Sequence, residues 1–484
     1  MKIKYLTGIV LGLTLLGCEK YTDVKPKGFN LLNTATDLDR HMNFSSAETF
    51  DFARQTLLIN DSYPSNTNVP QVVTGNVKNL DYALLTYDET LNRSALTVTD
   101  PTYEGIYGNI VKVCNIVLNQ ADEASGDKAL LSKIKAESYV LRAYMHYLLV
   151  NVFAKAYDKS MAATDGGIPY PTDLNLETVN EKLSVARVYE NIIKDLDAAF
   201  ALNSLSAEGK NNMRVGRCFA LAVRARVMMS MGNYSEALKA CNEALAINSF
   251  IDDHNKFLPN NSLNKQFQSS RENLFYASQS RAFPAGMNVS REILGVTSGV
   301  PQAGLYESAN ILRYKNSIYD YSSVGLTSRV SGTAWFYPLG TTYDTNSGGM
   351  TTSDLYLMKA ECLIRAGDIS GGMDIINLIR KHRNDQSDPA ATDLSAATEG
   401  QAILHLQRTA RIEYLFSWQN FVEIKRWNRE GKYPITITRR IVRVASGNTP
   451  AVDETFTLNP NSPLWIFAFP TNSSDFNPTL TPNY

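Results

Sequence analysis

Residues 219–248, "FALAVRARVMMSMGNYSEALKACNEALAIN", decide the fold of this chain. Apolar and small residues recur at helical spacing on both sides of the triplet Gly232-Asn233-Tyr234. Helices commonly end on a residue with positive φ, and glycine adopts that conformation without steric cost. The stretch is therefore predicted to form an αα-hairpin, two antiparallel helices that turn at Gly232.

A second hairpin is predicted at residues 353–385, "SDLYLMKAECLIRAGDISGGMDIINLIRKHRND", with Ser353 as the N-cap and Gly367 at the turn. Both hairpins resemble tetratricopeptide repeats, in which small residues stand where two helices approach closely. In the second copy, Gly372 occupies a place where the repeat usually has alanine. The same period predicts three further helices, over residues 133–153, 186–202 and 398–428.

Hairpins of this kind stack on one another, because a single hairpin cannot bury its own apolar face. The predicted fold is predominantly α, a tetratricopeptide-like superhelix of helical hairpins over residues 102–250 and 353–430. Residues 251–349 interrupt it with a composition rich in Ser, Asn, Gly and Tyr, which predicts a long, irregular, aromatic-rich insert. A few short β-strands are predicted, at "ITITRRIVRVA" (435–445) and "PLWIFAFP" (463–470).

The first 17 residues have the pattern of a processing signal. Lys2 and Lys4 precede an apolar run, residues 5–16, that is too short for a comfortable membrane span. The run ends in Leu-Leu-Gly-Cys, which resembles the lipobox of bacterial lipoproteins. Residues 1–17 are then a lipoprotein signal peptide, Cys18 carries the lipid, and residues 18–45 form the tether and N-terminal segment of a domain covering residues 18–484. The alternative is an ordinary secretion signal whose cysteine is incidental.

Charge and cysteine content argue against a nucleic-acid-binding protein, a zinc protein and a small disulfide-bonded domain. Residues 18–484 carry 45 basic and 48 acidic side chains without a clustered basic face, so no nucleic-acid partner is predicted. The four remaining cysteines have irregular separations that fit neither a zinc site nor a small disulfide scaffold. Cys218 and Cys241 flank the Gly232 turn at unequal distances, which favours buried free thiols over a disulfide.

No catalytic motif is present. The five histidines are scattered without metal-binding spacing, and no GxSxG or phosphate-binding loop occurs. His146 lies in a strongly apolar helix and is predicted to pack in the core. We therefore expect no enzymatic activity, no cofactor and no metal site, although a pair of glycosidase carboxylates from distant segments and a structural cation in an insert stay open.

The long irregular stretches contain residues suited to sugar recognition. Pyranose rings stack on flat aromatic faces, and their hydroxyls pair with planar polar side chains. The candidates are Trp335, Tyr337, Tyr343, Arg313, Tyr319, Tyr63, Asn68 and Asp61. The alternative is that these aromatics fill the insert's own small core. Trp418, Trp427 and Trp465 are predicted to be packed.

Several stretches together resemble the SusD/RagB family of outer-membrane lipoproteins. Besides the lipobox and the Gly232 hairpin, they are "YEGIYGNIVKVCNIVLNQAD", "KAESYVLRAYMHYLLVNVFAKAYD", "GGIPY", "SVARVYENIIKDLDAAF", "DLYLMKAECLIRAGD", "RIEYLFSWQNFVEIKRWN" and the terminal "NPTLTPNY". Their order and spacing over nearly the whole chain carry the resemblance. Two departures, at residues 417–420 and at Thr351, put a local ion-pair network in doubt.

The resemblance implies a surface-exposed lipoprotein, anchored in the outer membrane through acylated Cys18. Such a protein captures a glycan or another nutrient and delivers it to a SusC-like TonB-dependent β-barrel transporter, without chemistry at its binding site. The alternative function is a lipid-anchored repeat protein that binds peptide or protein partners.

Overall fold

The computed structural model describes most of the chain outside its N-terminus and the insert. Described are residues 32–43, 49–63, 78–174, 178–257, 269–277, 346–387, 392–444 and 450–484, and short strands between residues 288 and 336. Among the helices in these ranges, none combines the length and apolar character needed to cross a bilayer.

Eight helices form the first half of the described chain. They are α1 (Ala35–His41), α2 (Ala53–Leu58), α3 (Leu80–Thr86), α4 (Arg93–Leu96), α5 (Pro101–Asn109), α6 (Ile116–Gln120), α7 (Lys128–Phe153) and α8 (Val185–Ala201). A π-helical turn, Ile110–Asn115, joins α5 to α6. The long helix α7 begins at Asp127, whose carboxylate accepts from the N–H groups of Ala129 and Leu130, and it is buried over nearly its whole second half. Because its side chains are buried on all sides there, the other helices pack around it.

Eight helices lie in the second half of the described chain. They are α9 (Arg217–Ser230), α10 (Tyr234–Ile247), α11 (His254–Phe257), α12 (Thr352–Arg365), α13 (Ile369–Arg383), α14 (Glu399–Glu413), α15 (Trp418–Glu430) and a last short helix, α16 (Thr471–Ser474).

Both predicted hairpins are confirmed. Gly232 and Gly367 have φ of 72° and 91°, and nothing lies within 4 Å of where a Cβ would stand. Backbone conformation, and not lack of space, is thus what favours glycine at the two turns.

The second hairpin differs from prediction at its start. Thr351, not Ser353, is the N-cap of α12, and it forms a capping box with Asp354. Ser353 lies inside the helix, so its assignment as N-cap was wrong. A Cβ on Gly372 would overlap the side chain of Ile364 and lie 3.0 Å from the carbonyl oxygen of Ala360. Glycine therefore allows α12 and α13 to approach more closely than the alanine of the repeat would.

The single helix predicted over residues 398–428 is also wrong. It is divided into α14 and α15 by residues 414–417, where Phe416 has a φ of 67°. A right-handed helix cannot contain this conformation, so the chain turns before α15 begins. The turn directs α15 into the core, where residues 418–428 are all buried. Lys425 in this helix donates to the carbonyl oxygens of Asn151 and Ala154, both at 2.6 Å, at the C-terminus of α7.

The described strands form four small sheets. The strands are β1 (Ser62–Tyr63), β2 (Asn273–Phe275), β3 (Asn288–Ser290), β4 (Val296–Thr297), β5 (Val300–Pro301), β6 (Ile318–Tyr319), β7 (Val330–Ser331), β8 (Thr333–Phe336), β9 (Met350–Thr351), β10 (Ile437–Val444) and β11 (Pro450–Leu458). Their orders are β1-β3-β8-β6, β11-β10-β7, β2-β9 and β4-β5. The strand predicted at 435–445 is confirmed as β10. The one predicted at 463–470 is wrong, because Ser462 caps a 3-10 helix, Pro463–Trp465, and the partner strand of β10 lies upstream.

The core contains a buried network of ion pairs. Arg226 of α9 pairs with Asp354 at 2.8 Å and with Glu423, and Arg426 of α15 pairs with Glu361 at 2.6 Å and with Glu423. The expectation that residues 417–420 and Thr351 put such a network in doubt is corrected. Thr351 supplies a cap, and the acidic partners come from α12 and α15.

The predicted packing of cysteines and tryptophans is confirmed within the described residues. Cys114, Cys218, Cys241 and Cys362 are free and buried. Trp418, Trp427 and Trp465 are each at most 3% exposed.

Candidate functional site

Three of the residues predicted to bind ligand lie at one register position of the sheet β1-β3-β8-β6. Tyr63 stands opposite Asn288, Asn288 opposite Trp335, and Trp335 opposite Tyr319. Directly opposed residues of antiparallel strands share one face of a sheet. Tyr63, Asn288, Trp335 and Tyr319 thus form a continuous row across four strands, which we call the Trp335 row. With neighbouring strands about 4.8 Å apart, the row is about 14 Å long.

Strand β1 is tied to the helical core where it begins. Asp61, the residue before it, is fully buried and forms an ion pair with Arg411 of α14, with 2.8 Å between Oδ1 and Nη2. Its Oδ2 accepts from the side-chain amide of Asn420 in α15 at 3.0 Å. Burial raises the pKa of Asp61 to about 6, against the opposing effects of Arg411 and Asn420. Asp61 therefore belongs to the core, and its assignment as a ligand contact is corrected.

A second connection reaches the neighbouring sheet. Arg439 of β10 is fully buried, and it donates to the side chain of Asn60 at 3.0 Å and to the carbonyl oxygens of Leu84 and Leu85 at 2.8 Å. Strand β10 pairs with β7, and β7 is separated from β8 by one residue. The strand that contains Trp335 is therefore joined through β7 and β10 to the same part of the core that holds β1.

The other candidate residues lie outside the described part of the chain. These are Tyr337, Tyr343, Arg313, Asn68 and the lipid-attachment residue Cys18. Asn288 is a member of the row that the sequence did not suggest. Only the pairing of β3 with β1 and β8 identifies it, and that pairing joins segments more than 40 residues apart.

A polar cavity of about 70 Å³ lies where the insert leaves the helical body. The antiparallel pair β2-β9 lies at this connection between the insert and the helical body, and Glu272 immediately precedes β2. Arg383 of α13 reaches into the cavity, 2.8 Å from Glu272 and 2.9 Å from Glu413. Burial raises the pKa of Glu272 to about 7, although Arg383 opposes this. The two carboxylates are thus paired with one arginine in a small cavity.

His146 lies in the core, as predicted. Its ring stacks on that of Tyr170 with 3.6 Å between centroids, and its Nδ1 lies 2.8 Å from the carbonyl oxygen of Arg142. Burial lowers the pKa of His146 to about 3, so the imidazole is neutral at physiological pH. Within the described residues no group of three or more His, Cys, Asp and Glu side chains is arranged to hold a metal ion.

Comparison with known proteins gives one family and many related structures. Residues 20–229 match the family model SusD-like_3, described as "Starch-binding associating with outer membrane". No curated protein matches the sequence.

Three of the solved structures that share the fold come from two Bacteroides species. A SusD superfamily protein of Bacteroides thetaiotaomicron has a TM-score of 0.69 and 17% identity, covering 93% of this chain and 100% of its own. A putative sugar binding protein of Bacteroides vulgatus has a TM-score of 0.66 and 16% identity, covering 93% and 98%. A SusD-like carbohydrate binding protein of the same species has a TM-score of 0.64 and 14% identity, also covering 93% and 98%. At these identities, the similarity establishes the fold.

Proposed function

We propose that this chain, a member of the SusD-like family, captures a glycan at the outer membrane and delivers it to a SusC-like TonB-dependent transporter. The observation that carries the proposal is the Trp335 row. Two tyrosines, an asparagine and a tryptophan at one register position combine the aromatic faces and the planar amide that sugar recognition uses.

The sheet that contains the Trp335 row is held in place by the helical core, which supports a role of the row in binding. Recognition of a flexible glycan is stronger when the protein's contact residues are held in place before binding, since less freedom is then lost. Two sets of contacts restrain the sheet against the core. The Asp61–Arg411 ion pair holds the chain just before β1, and Arg439 of β10 donates to the carbonyl oxygens of Leu84 and Leu85. Tyr337, Tyr343, Arg313 and Asn68 remain candidates for further contacts.

The proposal assigns binding and transfer to the protein, without catalysis. Acylation of Cys18 would place the chain at the outer membrane, in agreement with the description of the family. A lipid-anchored binding protein needs a membrane-spanning partner to move its ligand inwards, and the SusC-like barrel is that partner in the proposal.

Affinity measurements with soluble starch and a panel of neutral oligosaccharides test the site. Trp335→Ala is expected to weaken binding about tenfold or more, and Trp335→Phe, which keeps an aromatic face, should recover much of the loss. Phe336→Leu is the matched control in the same strand, because neighbouring strand residues belong to opposite faces. Unchanged affinity in Trp335→Ala would remove the row from the binding site.

Transfer is tested separately by co-purification from detergent-solubilised outer membranes. A β-barrel of the TonB-dependent class should be recovered with the wild-type chain and also with Trp335→Ala, because that residue is assigned to ligand. Recovery of peptides or soluble proteins, with no barrel and no glycan bound, would instead favour the repeat-scaffold alternative.

A further inference from the structure

A second concave surface lies between the start of the helical body and the C-terminal segment. It is a cleft of about 630 Å³, within the range of about 300 to 1,000 Å³ typical of ligand pockets. Its walls come from α5 and the π-helical turn, from residues 169–173 and 178–180, and from residues 473–480. None of these residues belongs to the Trp335 row.

Phe476 stands at the rim of this cleft and is 82% exposed. The backbone on both sides of it is held in place. Before it, the N–H groups of Thr471 and Asn472 donate to the carbonyl oxygens of Thr97 and Val98, at 2.9 and 3.2 Å. After it, the Asn477 side chain donates to the carbonyl oxygen of Asn180 at 2.7 Å. An apolar ring is thus presented to solvent by a fixed segment of chain.

Two tyrosines of α5 also line the cleft and are held by contacts of their own. Tyr103 and Tyr107 pack together with 4.7 Å between their ring centroids, and the Tyr107 hydroxyl donates to the carbonyl oxygen of Pro169 at 2.7 Å. Val179, which is 53% exposed, lines the cleft between Thr178 and Asn180. Together with Phe476 these residues give the cleft an aromatic and apolar lining.

Polar groups in the lining are hydroxyls, amides and a carboxylate. They belong to Asp173, Thr178, Asn180, Ser473 and Asn477. No lysine or arginine is among the described residues of the lining. Among the described lining residues an anionic ligand would meet the Asp173 carboxylate and no basic side chain, whereas a neutral polyhydroxylated ligand finds both apolar surface and hydrogen-bonding partners.

We propose that this cleft is a second glycan subsite, which binds a pyranose unit of a neutral oligosaccharide with the Phe476 ring as its stacking platform. The inference rests on the proposed function, in that glycan is the ligand. It assigns two binding positions to one chain. On a long polysaccharide the two positions act together, because engagement of one raises the effective concentration of the other.

The number of ligands bound per chain and the protection of backbone amides against hydrogen exchange test the proposal. With a short neutral oligosaccharide that binds the wild type, two ligands are expected per chain, and one in Phe476→Ala. Hydrogen exchange should show ligand protection at residues 97–111 and 471–480 that Phe476→Ala loses and Phe476→Tyr retains. Binding of long starch chains should weaken about three- to tenfold in Phe476→Ala. Leu404→Ala is the control, since Leu404 is 45% exposed on α14, away from the cleft lining.

The outcomes separate this inference from the proposed function. If Trp335→Ala weakens binding while Phe476→Ala changes neither stoichiometry nor protection, the cleft is not a subsite and the function stands. If Phe476→Ala loses one site and Trp335→Ala none, the cleft is the binding position and the row is not. If no neutral glycan of the panel binds the wild type, both proposals fail.

Discussion

Asp61 and Arg411 form an ion pair that is sealed from water, with Oδ1 and Nη2 2.8 Å apart and side chains 0% and 2% exposed. The pair joins two positions 350 residues apart in the sequence. It also stands directly before β1, the first strand of the sheet that carries the Trp335 row. One interaction in the core thus fixes where the sheet begins.

Removal of Asp61 should therefore destabilise the protein strongly. Asp61→Ala leaves Arg411 as a buried charge without its carboxylate, and breaking a buried pair in this way costs about 3 to 5 kcal/mol. Chemical denaturation at pH 7 measures the change in free energy of unfolding. Lys135→Ala is the control, because its partner Asp122 has a side chain 75% exposed and such pairs contribute about 0 to 1 kcal/mol. A similar, small effect in both variants would contradict the role given to Asp61.

The role of Asp61 could not be predicted from the sequence around it. The residue stands among Tyr, Asn and Pro in "NDSYPSNTNVP", a composition typical of a polar binding loop. What places it in the core is Arg411, and no local pattern connects the two. The same limit applies to the Trp335 row, since its register depends on pairing across 225 residues between Tyr63 and Asn288 and across 47 residues between Asn288 and Trp335.

The helical hairpins, by contrast, could be predicted from the sequence. Their contacts are local, and the turn at Gly232 has a conformation that favours glycine, so 30 consecutive residues contain the whole signal. The break at Phe416 was missed because its positive φ falls on an aromatic residue, which has no sequence signature for a turn. Residues 463–470 resemble a strand in sequence because buried irregular chain and buried strand share the same apolar composition.

The C-terminal segment should contribute to stability through Asn483. Its side-chain amide donates to the carbonyl oxygens of Phe153 and Gly167, both at 2.8 Å, and its Oδ1 accepts from Lys182 at 3.0 Å. Asn483→Ala removes these bonds and leaves the end of α7 without one of its partners. We expect a loss of about 1 to 3 kcal/mol in the free energy of unfolding. Pro482→Ala, an exposed neighbour, should change it by less than about 0.5 kcal/mol, and equal effects would point to a general disturbance of the tail.

Cys18→Ser should release the protein from the membrane. If Leu15-Leu16-Gly17-Cys18 is a lipobox, the serine variant cannot receive lipid through a thioether, and the anchor of about 0.8 kcal/mol per buried methylene is lost. Fractionation of cells and incorporation of labelled fatty acid measure this. Glu19→Ala keeps the lipobox intact and should stay in the membrane fraction. A Cys18→Ser variant that still sediments with membranes and carries label would favour another anchor.

Glu272 should make stability depend on pH near neutrality. Its folded pKa of about 7 lies above the ordinary value of 4.5, chiefly because burial disfavours the charged carboxylate. The folded state then binds a proton that the unfolded state has released, so the contribution of Glu272 to stability is fully present below about pH 4.5 and is lost as pH rises to 7. Glu272→Gln keeps an acceptor for Arg383 but cannot titrate, and it should flatten the pH dependence by about 1 to 3 kcal/mol over this range.

Denaturation of the wild type and Glu272→Gln at pH 5 and pH 8 gives this difference directly. Asp61 has a raised pKa in both proteins, so its own contribution cancels. Parallel pH profiles would show that Arg383 keeps Glu272 ionised throughout. A wild-type protein that loses stability relative to Glu272→Gln as pH falls from 7 to 5 would mean that the folded pKa of Glu272 is lowered, because only a carboxylate stabilised in its charged form loses stability on acidification.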